Sequence, residues 1–164
     1  MKKIFLILFT SLLATSNSFA EENYDKEFSS RFVSLKDEIV NSRSGPGTRY
    51  PIEWIYKQKH APLEVIGEFE EWRQVRDWQS SESWILSSLL SRKRYAKITT
   101  PGENNLYSKS NYKSKIIAKV EDGAIAEIKK CPAGNEFCLL RFENIDGWMP
   151  RQNIFGIHKN EVVD

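Results

Sequence analysis

Residue types able to do chemistry are few in this chain. Cys131 and Cys138 are its two cysteines, with six residues between them. Pro132-Ala133-Gly134-Asn135 reads as a turn, which sets the thiols facing each other across a hairpin. The spacing is not the C-x-x-C of a redox pair, so a structural disulfide is expected. His60 follows Lys57-Gln58-Lys59 in an expected turn, and His158 lies near the end of the sequence. Neither sits in a Cys–His nucleophile motif, and both read as solvated side chains. Two Cys and two His without ligand spacing make a poor zinc site. Glu68, Glu70 and Glu71 form a run that reads as a solvated turn rather than a spaced carboxylate pair for glycan cleavage. Gly45-Pro46-Gly47 precedes no helix and lacks the Lys-Ser/Thr of a phosphate loop. No catalytic residue, metal or cofactor is expected, and the chain reads as a non-enzyme.

Binding chemistry remains. Aromatic residues make up 12% of the chain, and most are expected in the core. Trp84 and Trp148 read as buried or half-buried anchors. Trp54 and Tyr56 share a strand face with Ile52, so that face is expected to be buried. Tyr50, Trp72 and Trp78 are the candidates for an exposed platform beside the 45–47 turn. Aromatic faces stack on sugar rings or prolines, and Arg43, Arg49 and Arg73 are suited to hold carboxylates of a peptide. Two readings stand level for Trp72, platform or cover for the hairpin. For Trp78 the packing reading is preferred.

The elements that must position these groups are short. Runs such as Phe32-Val33-Ser34-Leu35, Leu63-Glu64-Val65-Ile66, Trp72-Arg73-Gln74-Val75 and Trp84-Ile85-Leu86 are each long enough only for a strand. Pro51, Pro62, Gly67 and Ser80-Ser81 break them, and the pattern reads as small all-β barrels or sandwiches. Ahead of them, Met1-Lys2-Lys3, an apolar stretch and Ser18-Phe19-Ala20 read as a secretory signal peptide cut after Ala20. The apolar run falls short of the roughly 20 residues that cross a bilayer, so no stable membrane insertion is expected. A secretory route places the cysteines in an oxidising compartment. Lys+Arg number 24 and Asp+Glu 22, and loss of Lys2 and Lys3 brings the remaining chain to neutrality. That argues against a nucleic-acid partner, which calls for a basic footprint.

The pattern then repeats. Asn41-Ser42-Arg43-Ser44 is echoed by Asn105-Leu106-Tyr107-Ser108, Trp72 and Val75 by Phe137 and Leu140, and Ser83-Trp84-Ile85-Leu86 by Gly147-Trp148-Met149-Pro150. Two copies of a ~60-residue unit read as two small domains rather than a solenoid. The expected division is a signal peptide over 1–20, a flexible leader over 21–31, and domains over 32–91 and 92–160. Ser91-Arg92-Lys93-Arg94 forms an exposed basic seam. Units this small bury little surface alone, so they are expected to pack together or share a strand. The first half is net acidic and the second net basic, a mild further attraction.

Asn41-Ser42-Arg43-Ser44-Gly45-Pro46-Gly47-Thr48-Arg49-Tyr50-Pro51 resembles the opening signature of bacterial SH3-like (SH3b) domains, in which a strand ends in N-x-R-x-G-P-G. The blocks 68–78 and Asp146-Gly147-Trp148-Met149-Pro150 with Phe155-Gly156 resemble secreted bacterial proteins with tandem SH3-like domains. The second unit departs from the signature, with Lys109-Ser110-Asn111 for the G-P-G turn, and the first has Ser83 where glycine is usual. The resemblance implies two tandem SH3-like β-barrels. It also implies that Phe137 and Pro150 stand where the eukaryotic fold relatives have groove residues, although proline-rich peptide binding is not predicted. Bacterial SH3-like domains often target wall polymers. The expectation is therefore a secreted, periplasmic, non-catalytic binding module whose partner is cell-wall peptidoglycan. An envelope protein is the alternative partner.

Overall fold

The computed structural model describes residues 28–164. The expected signal peptide and residues 21–27 of the leader lie outside the described residues. The rest is all-β, in two antiparallel sheets of seven strands each. The first holds β1 (Arg31–Leu35), β2 (Val40–Arg43), β3 (Ile52–Tyr56), β4 (Pro62–Phe69), β5 (Trp72–Arg76), β6 (Glu82–Leu86) and β7 (Leu90–Ser91). The second holds β8 (Tyr95–Ile98), β9 (Glu103–Tyr107), β10 (Ile116–Glu121), β11 (Ile125–Lys130), β12 (Phe137–Phe142), β13 (Ile145–Pro150) and β14 (Ile154–Phe155). Their orders, β3-β2-β6-β5-β4-β1-β7 and β10-β9-β13-β12-β11-β8-β14, are the same permutation. Each sheet has its own core, around Leu35, Leu63, Val75 and Ile85 in one and Ile98, Leu106, Leu140 and Met149 in the other. The fold is that of tandem SH3-like domains.

Register confirms the repeat residue by residue. Trp72 faces Leu86 as Phe137 faces Pro150, Val75 faces Ser83 as Leu140 faces Gly147, and Arg76 faces Glu82 as Arg141 faces Asp146. Arg43 beside Trp84 matches Tyr107 beside Trp148. Because paired residues share a face, the inward set Val75, Ser83, Ile85 leaves Trp72, Gln74, Trp84 and Leu86 on the outer face. A disulfide joins Cys131 to Cys138 across the β11–β12 connection, as the turn between them implied.

Several sequence expectations change. Arg31, assigned to the leader, opens β1 opposite Val65, and Val163, beyond the expected end of the second domain, bridges Cys131. Ile52 and Trp54 are 46% and 49% exposed, and only Tyr56 of that expected buried face lies inside. A bulge puts Ile52 opposite Arg43 and Trp54 opposite Ser42, on different faces, and β3 is an edge strand with no neighbour beyond it.

The units pack against each other without sharing a strand, and both histidines lie at that seam rather than in solvent. His60 stacks on Tyr95 at 4.2 Å, and His158 meets Phe32 at 4.7 Å. Burial, then Lys59 and Lys93, push the His60 imidazole below its usual range against an opposing pull from Glu127. The Lys97 ammonium stands 4.4 Å from the Trp78 ring centroid and donates to Gln58 Oε1 at 2.6 Å. Arg94 of the basic seam is half-buried over Phe32. Among the described residues one contact of opposite charges crosses the seam, His158 with Glu64 at 4.0 Å, and it is ionic only if the histidine is protonated. Stacking and hydrogen bonds, not the charge asymmetry, join the halves.

Candidate functional site

In the first unit the candidate residues separate. Trp72 and Arg43 stand on the outer face, where Trp72 is half-buried beside Leu86. Arg43 Nη1 donates to Tyr50 O at 2.6 Å, so its charge fastens the β2–β3 hairpin. The Tyr50 ring lies against Gly45, where an added Cβ would come within 2.5 Å of the ring. The guanidinium of Arg49 stands 5.1 Å from the same ring's centroid. Arg73 donates to the carbonyls of Glu70 and Trp72 and lies 3.2 Å from Glu68. Arg49 is the one of these three arginines left facing solvent, and Trp78 is committed to the seam. The G-P-G hairpin thus packs on its own tyrosine rather than offering that ring as an open platform.

The second unit builds the same region differently. Phe137 is buried, with Tyr112 at 4.8 Å and Tyr107 at 5.8 Å, and Pro150 is buried beneath them. Phe137 is enclosed and offers no free face to a ligand, whereas Pro150, although buried for most of its surface, lines the adjoining groove. The exposed member of the cluster is Tyr112, at 53%. It borders a groove of about 840 Å³. One wall is the disulfide-closed loop, Ala133 to Glu136, and the other is the segment from Ile157 to Asn160.

Arg151 ties these walls together. Its Nε donates to Asn135 O at 2.8 Å, Nη2 to Pro132 O at 3.0 Å and Nη1 to Glu161 O at 2.8 Å. The planar fork of a guanidinium can serve three carbonyls at once. Val163 and Cys131 exchange backbone hydrogen bonds of 2.6 and 3.1 Å, anchoring the C-terminal segment to the disulfide. Burial pushes the Glu161 carboxyl up, but the Arg94 hydrogen bond and the His158 N–H outweigh it and hold it below the usual carboxylate range. Glu136 and Lys159 stand at the groove and enter no ion pair among the described residues. The arrangement supplies an aromatic face and the charges of Glu136 and Lys159, beside an Arg151 guanidinium spent on carbonyls.

Sequence reasoning missed Tyr112, Glu136, Arg151, Ile157 and Lys159. For Tyr112 a signal existed, since it ends the second copy of the block that Tyr50 ends in the first. For the C-terminal wall there was none, because a segment joining a groove from a distance leaves no local pattern. Among the described residues no group of three or more His, Cys, Asp or Glu is placed to hold a metal ion.

Residues 36–92 match the family model described as bacterial SH3 domain. No curated protein matches the chain. Among solved structures, NlpC2 from Trichomonas vaginalis is similar at 15% identity and a TM-score of 0.35, over 77% of this chain and 48% of that one. NlpC1 from the same organism is similar at 14% identity and a TM-score of 0.35, over 90% of this chain and 50% of that one. The chain spans about half the length of each, and no argument rests on likenesses this weak. The bacterial SH3 match falls on the first unit, and the second unit repeats that unit's strand order and register in an all-β chain of tandem SH3-like fold.

Proposed function

We propose that the protein is a non-catalytic binding module of the cell envelope, and that it takes peptidoglycan peptide or glycan in the groove of the second unit. The observation that carries this reading is the groove itself. Its ~840 Å³ falls in the range of small-ligand sites, with an exposed tyrosine on one side and opposite charges at its walls. Wall peptides carry both carboxylates and amines, which suits that pairing. The bacterial SH3 match supports the reading at the level of fold family. The buried disulfide suits an oxidising compartment, and no helix among the described residues is long and apolar enough to cross a membrane. In this reading residues 1–20 are removed on export, and the mass of the exported protein should begin at Glu21. An envelope protein supplying an extended segment to the same groove is the second reading, favoured by the open backbone of Ala133 and Gly134 on the loop wall.

Co-sedimentation of residues 21–164 with purified sacculi at two salt concentrations tests the proposal. Binding should persist at high salt and weaken about tenfold in Tyr112→Ala, the scale of losing one aromatic anchor. Loss in Trp72→Ala with Tyr112→Ala unaffected would move the site to the first unit. No sedimentation at either salt would sink the wall reading, and release of soluble muropeptides would sink the non-catalytic one.

A further inference from the structure

The β9–β10 hairpin beside the groove is strongly basic, and the first unit has nothing comparable. Between Glu103 and Glu121 the chain holds no acidic residue and four lysines, Lys109, Lys113, Lys115 and Lys119. Lys119 is paired with Glu103 at 2.7 Å. The other three are exposed and enter no ion pair among the described residues. They flank Tyr112, whose ring lines the groove. At the equivalent place the first unit has a single cation, the exposed Arg49, which lies against Tyr50.

The hairpin is also set in shape before any ligand arrives. Asn111 N donates to Lys109 O at 2.8 Å, and Lys113 N to Asn111 Oδ1 at 3.1 Å. Ser114 Oγ accepts from Lys109 N at 3.2 Å and lies 2.9 and 3.1 Å from the carbonyls of Asn111 and Lys109. Ser108 N reaches Lys115 O at 2.9 Å. These side-chain and backbone bonds fix the turn, and the three ammonium groups are the charges it presents to solvent. Holding like charges on one short loop is unfavourable unless a counter-charge arrives, and a preset backbone lowers the ordering cost of that encounter. Across the groove the charges are mixed, with Glu136 on the disulfide wall and Lys159 on the C-terminal one.

We infer that the groove's ligand is polyanionic, a polymer with closely spaced carboxylates or phosphates that Lys109, Lys113 and Lys115 hold alongside Tyr112. This deepens the proposed function and rests on it for the identity of the polymer, but not for the chemistry. Glu136 keeps anions to the Tyr112 side and leaves its own wall for an amine or neutral group. Two terms then add: stacking that resists salt, and ion pairing that does not.

The test compares residues 21–164 with a Lys109→Gln, Lys113→Gln, Lys115→Gln variant of the same length, with matched melting curves. A control removes the same charge elsewhere, by Lys57→Gln, Lys59→Gln and Arg92→Gln. On sacculi, unaltered protein should bind at least about tenfold tighter at low salt than at high salt, in keeping with several ion pairs. The triple-lysine variant should bind at both salts as unaltered protein does at high salt, and the control should behave as unaltered protein. Equal binding by the lysine variant, or equal loss in the control, overturns the inference while leaving the wall reading intact. If unaltered protein ignores sacculi, titration with poly-L-glutamate and with inorganic polyphosphate decides. Shifts of the 109–115 resonances by one probe name the carboxylate or phosphate source, and no shift by either overturns the inference.

Discussion

The two units share strand order and register, yet they differ where a scaffold is free to differ: inside the sheet and in the loops above it. The first fills the end of its core with a polar plug. Tyr56 donates to Asp77 Oδ2 at 3.3 Å, and Asp77 Oδ1 accepts from the backbone N–H groups of Gln79 and Ser81. Ser42 and Ser83 are buried nearby. The second places Val120, Leu106 and Gly147 at the matching positions. Above the sheet, the first closes β4 onto β5 by the two-residue turn Glu70-Glu71, and its arginines fasten loops. The second opens that connection into a disulfide-closed loop and gains a groove. One frame thus supports a closed copy and an open copy, and the opening is held by a covalent link and by Arg151 rather than by more core.

The comparison can be broken at its strongest point first. Replacing both Cys131 and Cys138 by Ala should cost about 2.5 kcal/mol, the chain-entropy value for so short a loop. Hydrogen exchange should show the loss in β11, β12 and the C-terminal segment, with the first sheet unchanged; equal loss in both sheets would mean that the seam, not the disulfide, sets stability. Next is Gly147, where an added Cβ would come within 2.3 Å of Leu106 Cγ. Gly147→Ala should destabilise by about 1–3 kcal/mol as overpacking, while Ser83→Ala at the matching site stays under about 1 kcal/mol. Combining Gly147→Ala with Leu106→Ala should cost less than the sum of the singles by chemical denaturation.

The smallest effect sharpens the polar plug. Burial first, then the Asp77 charge, push the Tyr56 phenol up to about 12. A folded-state pKa above the unfolded value means that the folded protein keeps its proton longer. The associated stability is therefore intact below about pH 10 and lost as pH rises from there through 12. Tyr56→Phe should cost about 1 kcal/mol at neutral pH and flatten that alkaline decline relative to unaltered protein. Tyr95, pushed up in the same direction mainly by burial, adds to that decline. An unchanged decline in Tyr56→Phe would remove the plug from the account.

Much of the fold was readable because its signals are local. The Trp84 and Trp148 blocks, the three-residue step from Trp72 to Val75 and the turn between the cysteines all survive as register pairs or as a bond. The errors arise where distance in sequence hides a neighbour. Strict alternation put Ile52 with Trp54, but one bulge and an edge position exposed both. His60 follows a lysine-rich turn, yet its stacking partner Tyr95 belongs to the other unit. Tyr50 looked like a platform because nothing in the G-P-G motif says that the ring will fold back on Gly45. The site suffered most, since a groove wall supplied by residues 157–160 is a tertiary fact.

A duplicated sheet also doubles its borders. Each unpaired border strand presents backbone donors and acceptors to any other chain, the usual starting point of fibrous aggregation. Here every border carries its own guard. β7 and β14 are two residues long, too short to template a partner. β3 and β10 are each interrupted by a bulge, and β10 adds the Lys119–Glu103 pair. The chain gained a second sheet by repetition, and with it a second pair of borders that must be kept from stacking.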